Sequence, residues 1–321
     1  MSSLRTALFA FALAAILATP AHAETLAGVN AQIDAQAPGA LAVASTFAKA
    51  NVGNANAWVA LARANLQVGK AEQAVAAADK AAHLAPDNAH AFYWLGVAYA
   101  VRAGEVGMFS KMSLAPKLRD ALERSVKLDP GQLQARSALI EFYLQAPGMV
   151  GGGIDKARLQ ATEIGKRDKA QGLLAQGRIA LHEKNTDQAL KFYQAALAIK
   201  PDDARVRLAL ALVYQQLERW ADAFRYLRAW TAEDPKSGIA WYQTGRASAL
   251  SGQFLDEGVA ALQRYLTLPH GRDEPKKQNA LYRLGQIQAK AGRKDLARIA
   301  LQGALAIDPK YAEAKAELAK L

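Results

Sequence analysis

The chain contains no cysteine. That excludes disulfides, thiolate metal sites, cysteine nucleophiles and lipid attachment at an N-terminal cysteine. Histidine is nearly as scarce. Beyond residue 23 it occurs at His83, His90, His182 and His270, in separate segments and without the four-residue pairing of a zinc-binding helix. No G-x-S-x-G elbow, paired-carboxylate signature or dinucleotide fingerprint is present. The serines lack an identifiable partner base. These absences predict a non-enzyme with no catalytic, cofactor-binding or metal-ligating residues. Long apolar runs are also missing beyond the first twenty residues, so no later segment is expected to span a bilayer.

What the N-terminus does hold is a processing segment. Arg5 gives a small basic start, residues 6–18 are almost wholly apolar, and Pro20 precedes Ala21-His22-Ala23, an A-x-A cleavage site. Cleavage after Ala23 is expected, leaving Glu24 first and placing the protein in a Gram-negative periplasm or beyond. The formal net charge is +11, and loss of residues 1–23, with one arginine and no acid, lowers it by one. Such a basic chain suits acidic proteins, anionic polysaccharide or membrane surfaces. Nucleic acid is a poor match for an exported chain.

A repeat dominates the rest. Helix-ending prolines recur at Pro86, Pro130, Pro201, Pro235 and Pro309, and Pro201, Pro235 and Pro269 stand 34 residues apart. Between them the same slots carry the same kinds of residue. One segment has Trp58, Leu61, Ala62, Ala74, Ala78, Ala81 and Pro86; another has Leu281, Leu284, Gly285, Ala297, Leu301, Ala304 and Pro309; a third has Leu210, Ala211, Tyr214, Ala223, Leu227, Trp230 and Pro235. Small residues in two slots let paired helices cross closely, and large ones fill the grooves between neighbours. Gly69, Gly252 and Gly292 mark the turn between the two helices. Proline then stops the second helix.

This pattern resembles the tetratricopeptide-repeat (TPR) family over nearly all of the chain beyond residue 23. The resemblance implies an all-α, right-handed α-solenoid of helix-turn-helix units. Roughly seven repeats at the 34-residue period start near Ala55, Ala89, Leu133, Ala170, Ala204, Gly238 and Gln278. Residues 24–54 read as a helical pair or half repeat, residues 55–309 as the array, and residues 310–321 as a capping helix that shields the end of the stack. The resemblance further implies a protein- or peptide-binding scaffold whose inner face is lined by the first helix of each repeat. Carried over slot by slot, that face holds Arg63, Tyr93, Arg178, Arg205, Tyr242, Arg246 and Tyr282, an alternation of arginine and tyrosine that suits an acidic or C-terminal peptide. The Lys/Asn clamp that the family uses for chaperone tails is not matched. An envelope adaptor is the leading reading, against a binder of anionic polysaccharide or membrane and an enzyme with an unrecognised site.

Three places break the period: residues 103–115, 145–155 and 270–277. The first two are expected as loops on one edge of the stack. They hold Met108, Met112 and Met149, all the methionines other than Met1, and with Phe109 and Val150 they make an apolar group. Such a group serves either as an adaptable contact ridge or as a satellite core. Gly148 to Gly153 spells G-x-x-x-x-G, but Ile154 stands where a phosphate-binding loop has lysine, and a helix precedes it rather than a strand. Asp155 is expected to cap a helix starting at Lys156.

Overall fold

The computed structural model describes residues 25–269 and 274–321. The predicted leader, residues 1–23, its cleavage product's first residue Glu24, and residues 270–273 of the segment around His270 lie outside the described residues. Among the described residues every regular element is helical, with seventeen α-helices and one short 3₁₀ turn. The chain divides into two compact units, one ending at Leu128 and the other beginning at Asp129.

The first unit comprises α1 (Leu26–Asp34), α2 (Ala40–Ala50), α3 (Ala55–Gln67), α4 (Ala71–Leu84), α5 (Ala89–Glu105) and α6 (Met108–Leu128). Its core is built largely of alanine. Ala62, Ala74, Ala78 and Ala98 are buried together, with Leu95 and the partly buried Trp58 and Phe92 around them. The second unit runs α7 (Leu133–Gln145), α8 (Ile154–Gly165), α9 (Lys169–His182), α10 (Thr186–Ile199), α11 (Ala204–Gln216), α12 (Trp220–Glu233), α13 (Gly238–Ser251), α14 (Leu255–Thr267), α15 (Lys277–Lys290), α16 (Lys294–Ile307) and α17 (Ala312–Leu318). Every first helix of a repeat begins within one residue of the start read from the spacing. In α17, Ala314 is buried against Leu301 and Ala304 of α16.

The alternation of helix and turn follows from the residues at each junction. At Pro86 and Pro201 the proline that ends a second helix is followed two residues later by a capping side chain. Asn88 accepts from the His90 and Ala91 amides, and Asp203 from the Arg205 amide at 2.9 Å. These caps satisfy donors that the first turn cannot pair internally, worth about 1 kcal/mol each. Four residues into the helix, a long polar side chain ties the junction down. Trp58 Nε1 donates to Val52 O at 3.0 Å, Trp241 Nε1 to Pro235 O at 3.0 Å, and Arg136 Nε to Pro130 O at 3.0 Å. Arg207 Nε makes the same contact to Pro201 O. Slot four therefore does more than fill a groove: it pins the loop that enters its own repeat.

Between the paired helices, the small slots meet large side chains. A Cβ placed on Gly245 would stand 2.2 Å from Leu262 Cγ, and one on Gly285 2.6 Å from Leu301 Cγ. Both leucines are fully buried. In five of the pairs the turn places a residue in the left-handed region. Gly69, Gly252 and Gly292 supply it at φ 72°, 74° and 75°, whereas Lys184 and Glu218 occupy it at φ 60° and 54°.

Two expectations at the period breaks are corrected. Residues 103–115 do not form a loop. They lengthen the helices on either side: α5 has 17 residues and α6 has 21, against 13 for α3 and 14 for α4. Only Val106 and Gly107 lie between them. The stretch has good helix formers, and Pro116 lies inside α6, where its ring costs the bond to the Met112 carbonyl without ending the helix. Asp155 is likewise not the cap of its helix. The helix starts at Ile154 with Gly153 before it, and Asp155 sits in the first turn, paired with Arg158 at 3.0 Å.

The glycine-rich stretch has a backbone role. Gly152 donates to Pro147 O at 3.2 Å and Gly153 to Tyr143 O at 2.9 Å, folding the loop onto the end of α7. A Cβ on Gly152 would lie 1.8 Å from Ala146 O, so no other residue fits that approach. The amides of Val150, Gly151 and Gly152 are thus spent within the loop and that of Gly153 on α7.

Candidate functional site

The second unit holds a groove cavity of about 260 Å³ where three first helices, α7, α9 and α11, come together. Its floor is apolar. Ile140, Ala170, Ala175 and Val206 are all buried, and Leu174 and Ala209 complete it. The Tyr193 ring closes one side, and burial pushes its hydroxyl up to about 12, so the phenol stays neutral. Ser137 and Gln171 supply uncharged polar groups. The volume falls below the range of sites for whole drug-sized ligands or cofactors and suits one or two side chains of a longer ligand.

The rim is charged and internally paired. Arg178 pairs with Glu141. Lys200 Nζ lies 2.7 Å from Asp168, and Arg205 2.8 Å from Asp203. The Arg205 hydrogen bond, helped by the backbone amides of Arg205 and Val206, holds the Asp203 carboxyl down at about 2. Each acid has a structural place: Asp168 and Asp203 cap α9 and α11 and thereby face their cations. Three cations meet three anions, so the rim offers orientation but little net field. The Arg205 side chain is the most exposed of the three cations, at 73%.

The other inner-face residues fall into different surroundings. In the first unit Arg63 is engaged internally. It donates to Asn30 at 2.8 Å, pairs with Asp34 at 2.5 Å and lies 5.3 Å from the centre of the Trp94 ring. Tyr93 stacks edge-on with Trp94 at 5.2 Å and is half-buried, which raises its hydroxyl pKa. Neither presents the open arginine-tyrosine face that the alternation suggests. In the second unit Tyr242 is also not a groove side chain. It is buried and packs edge-on against Tyr265 at 5.3 Å, because the close crossing at Gly245 draws its helix onto α14. Arg246 reaches across to Gln215 Oε1 at 2.6 Å. Tyr282 stacks with Tyr311 at 5.3 Å and accepts from Gln286 at 2.8 Å.

The insertion residues do not pack as a satellite core. Met108, Phe109 and Met149 are 71%, 92% and 81% exposed, and Met112 is 37% exposed. Val150 is partly covered. Residues 103–115 belong to the first unit and 145–155 to the second. Sequence reasoning overlooked Lys200 and Asp203 at the rim. Both lie at helix junctions, and their spacing from Pro201 could have marked them, since the cap must fall beside the groove mouth.

Helices paired in tandem, with a cleft on their first-helix side, define a helical-repeat protein. A tetratricopeptide-repeat model matches residues 59–107, 149–204 and 254–312, and a second one matches residues 180–245. The chain belongs to the tetratricopeptide-repeat family. Comparison with curated proteins gives no match. Among solved structures, a tetratricopeptide repeat protein from Parabacteroides merdae is 14% identical, with 82% of this chain and 97% of that chain covered and a TM-score of 0.50. The Thermus thermophilus TPR protein TTC0263 is 19% identical over 57% of this chain and 91% of its own, with a TM-score of 0.47. The APC/C hetero-tetramer Cut9-Hcn1 is 17% identical over 88% of this chain, which spans 52% of that one, with a TM-score of 0.47. At such identities the likeness concerns the fold alone.

Proposed function

We propose that this protein is a non-enzymatic scaffold that holds a partner protein by an extended segment laid along the inner face of its second unit. The observation that carries the reading is the cavity between α7, α9 and α11, apolar at its floor and polar at its rim. One apolar side chain of the segment enters it. Ser137, Gln171 and the paired rim residues meet the backbone on either side. Concave faces of helical repeats are the usual site of such contacts. The leader-like residues 1–23 support export, so the partner is proposed to be an envelope or secreted protein.

A photo-crosslinking residue at Ala209, on the cavity wall, tests this in the native cell. The expected result is capture of a discrete partner from Ala209. The same probe at Ile299, on the exposed side of α16, should not capture it. Filling the cavity with Ala209→Trp should release that partner while the circular dichroism spectrum stays helical. Equal capture from both positions, or retention by the filled variant, would overturn the proposal.

A further inference from the structure

The break in the period at residues 103–115 lengthens two helices of the first unit. The two do not use the added length for core. Along α6 the buried residues are Leu118, Ala121, Leu122 and Ser125, all in its second half. Its first turns are the opposite: Phe109 is 92% exposed, Met108 71% and Met112 37%. Phe109 stands nine residues before Leu118, about two and a half helical turns, so its ring points away from the core that Leu118 joins. Met112 follows Met108 by four residues and Phe109 by three. All three side chains therefore share one outward face.

The charge around this face has one sign. From Val106 to Arg119 there is no aspartate or glutamate. Lys111 and Lys117 are exposed, and among the described residues neither faces a carboxylate. The flanking acids are already matched: Glu105 lies 3.4 Å from Arg102, and Asp120 2.6 Å from Arg119. A phenyl ring left in water at a helix end contributes nothing to the fold, and its transfer to an apolar medium is favourable. Lysine stems can follow such a ring inward while their ammonium groups stay in the polar layer. A protein partner would need a socket cut to a protruding ring. A lipid interface is fluid and conforms to it, and headgroups of opposite sign answer both lysines at once.

We propose that the first turns of α6 dock on an anionic lipid surface. Met108, Phe109 and Met112 enter the boundary between headgroups and acyl chains, and Lys111 and Lys117 pair with lipid phosphates. The apolar and the electrostatic contribution are each modest, and together they give reversible attachment. The chain lies on the membrane at this point and does not cross it: among the described residues no helix is long and apolar enough to span. The docking face belongs to the first unit and the cavity to the second. Membrane attachment is thus independent of the groove-binding reading.

Because the chain has no cysteine, one introduced thiol carries a dye at one place only. A polarity-sensitive fluorophore on Ser110→Cys, an exposed position beside Phe109, is titrated in the full chain with vesicles of phosphatidylglycerol and phosphatidylcholine. Its emission should shift to the blue, and less so as salt is raised. The same dye on Ile299→Cys, which is 65% exposed in the other unit, should not shift. Serine at Met108, Phe109 and Met112 together should remove the response while the circular dichroism spectrum stays helical, since these side chains carry no core. Lys111→Gln with Lys117→Gln should weaken vesicle affinity at least tenfold. No shift at Ser110→Cys with the mixed vesicles overturns the proposal. An equal shift with phosphatidylcholine alone overturns the anionic assignment. A shift that grows with protein concentration and needs no vesicles assigns the face to a second copy of the chain. A photo-crosslinker at Phe109 that labels protein and no lipid in the native cell assigns it to a protein partner. Either of these last results also overturns the proposal.

Discussion

The crossing of α13 and α14 makes a signed prediction about alanine. In an exposed helix interior, Gly→Ala stabilises by about 1 kcal/mol, because glycine has more backbone freedom to lose. Gly245 should reverse that sign. Its added Cβ would stand 2.2, 2.6 and 2.9 Å from the three branch carbons of Leu262. Leu262 is fully buried among Tyr242, Tyr265 and Ile287, so it has close neighbours to push against. Overpacking of this kind costs about 3 kcal/mol at the upper end of its usual range. After the propensity gain the net loss is about 2 kcal/mol, or roughly 4–8 °C in melting temperature for a unit of this size. Gly303, on α16 in the same unit, is the control. Its Cβ would meet Leu281 at 3.5 Å, an ordinary contact, so Gly303→Ala should gain up to about 1 kcal/mol. Thermal and urea melts of both variants, followed by circular dichroism, measure the contrast. A Gly245→Ala chain as stable as wild type would refute the crossing geometry, whatever Gly303→Ala does.

Other expectations concern the turns, the rim and the leader. Lys184→Gly and Glu218→Gly should each stabilise the chain by about 0.5–1 kcal/mol, since they remove a side chain from the left-handed region; a loss of stability in urea melts of both would contradict this. Asp203 is held near 2 against an ordinary 3.8, so its contribution is complete above the unfolded value and is lost as pH falls through the folded one. The stability gap between wild type and Asp203→Asn should therefore narrow from about pH 4 to about pH 2, and a gap that widens on acidification would refute the pairing. N-terminal sequencing of exported material should read Glu24 first; intact Met1 in a membrane fraction would refute cleavage.

The repeat was legible in the chain because its slots carry steric meaning. A glycine or alanine where two helices cross, and a proline where the second must stop, survive without knowledge of the neighbours. That is why the seven first helices start where the spacing places them. The inner face was harder. Slot arithmetic says which way a residue points, yet whether Arg63 is free depends on Asp34, some thirty residues away on α1. Tyr242 points inward by its slot but is buried by the tight crossing at Gly245. The insertion at 103–115 was misread because a departure from the period looks the same whether it makes a loop or lengthens two helices; only local helix propensity separates the two.

The neutral rim of the cavity has a kinetic consequence. A patch of one sign draws an oppositely charged ligand from a distance and quickens encounter, and salt erases that gain. Around this cavity Arg178, Lys200 and Arg205 are already matched by Glu141, Asp168 and Asp203. The rim itself therefore adds little long-range attraction, and any dependence of encounter rate on ionic strength comes from the basic charge of the rest of the chain. An arriving acid must also displace a resident one, exchanging one ion pair for another. On the proposed reading, discrimination at this mouth falls on how long a segment stays more than on how fast it arrives.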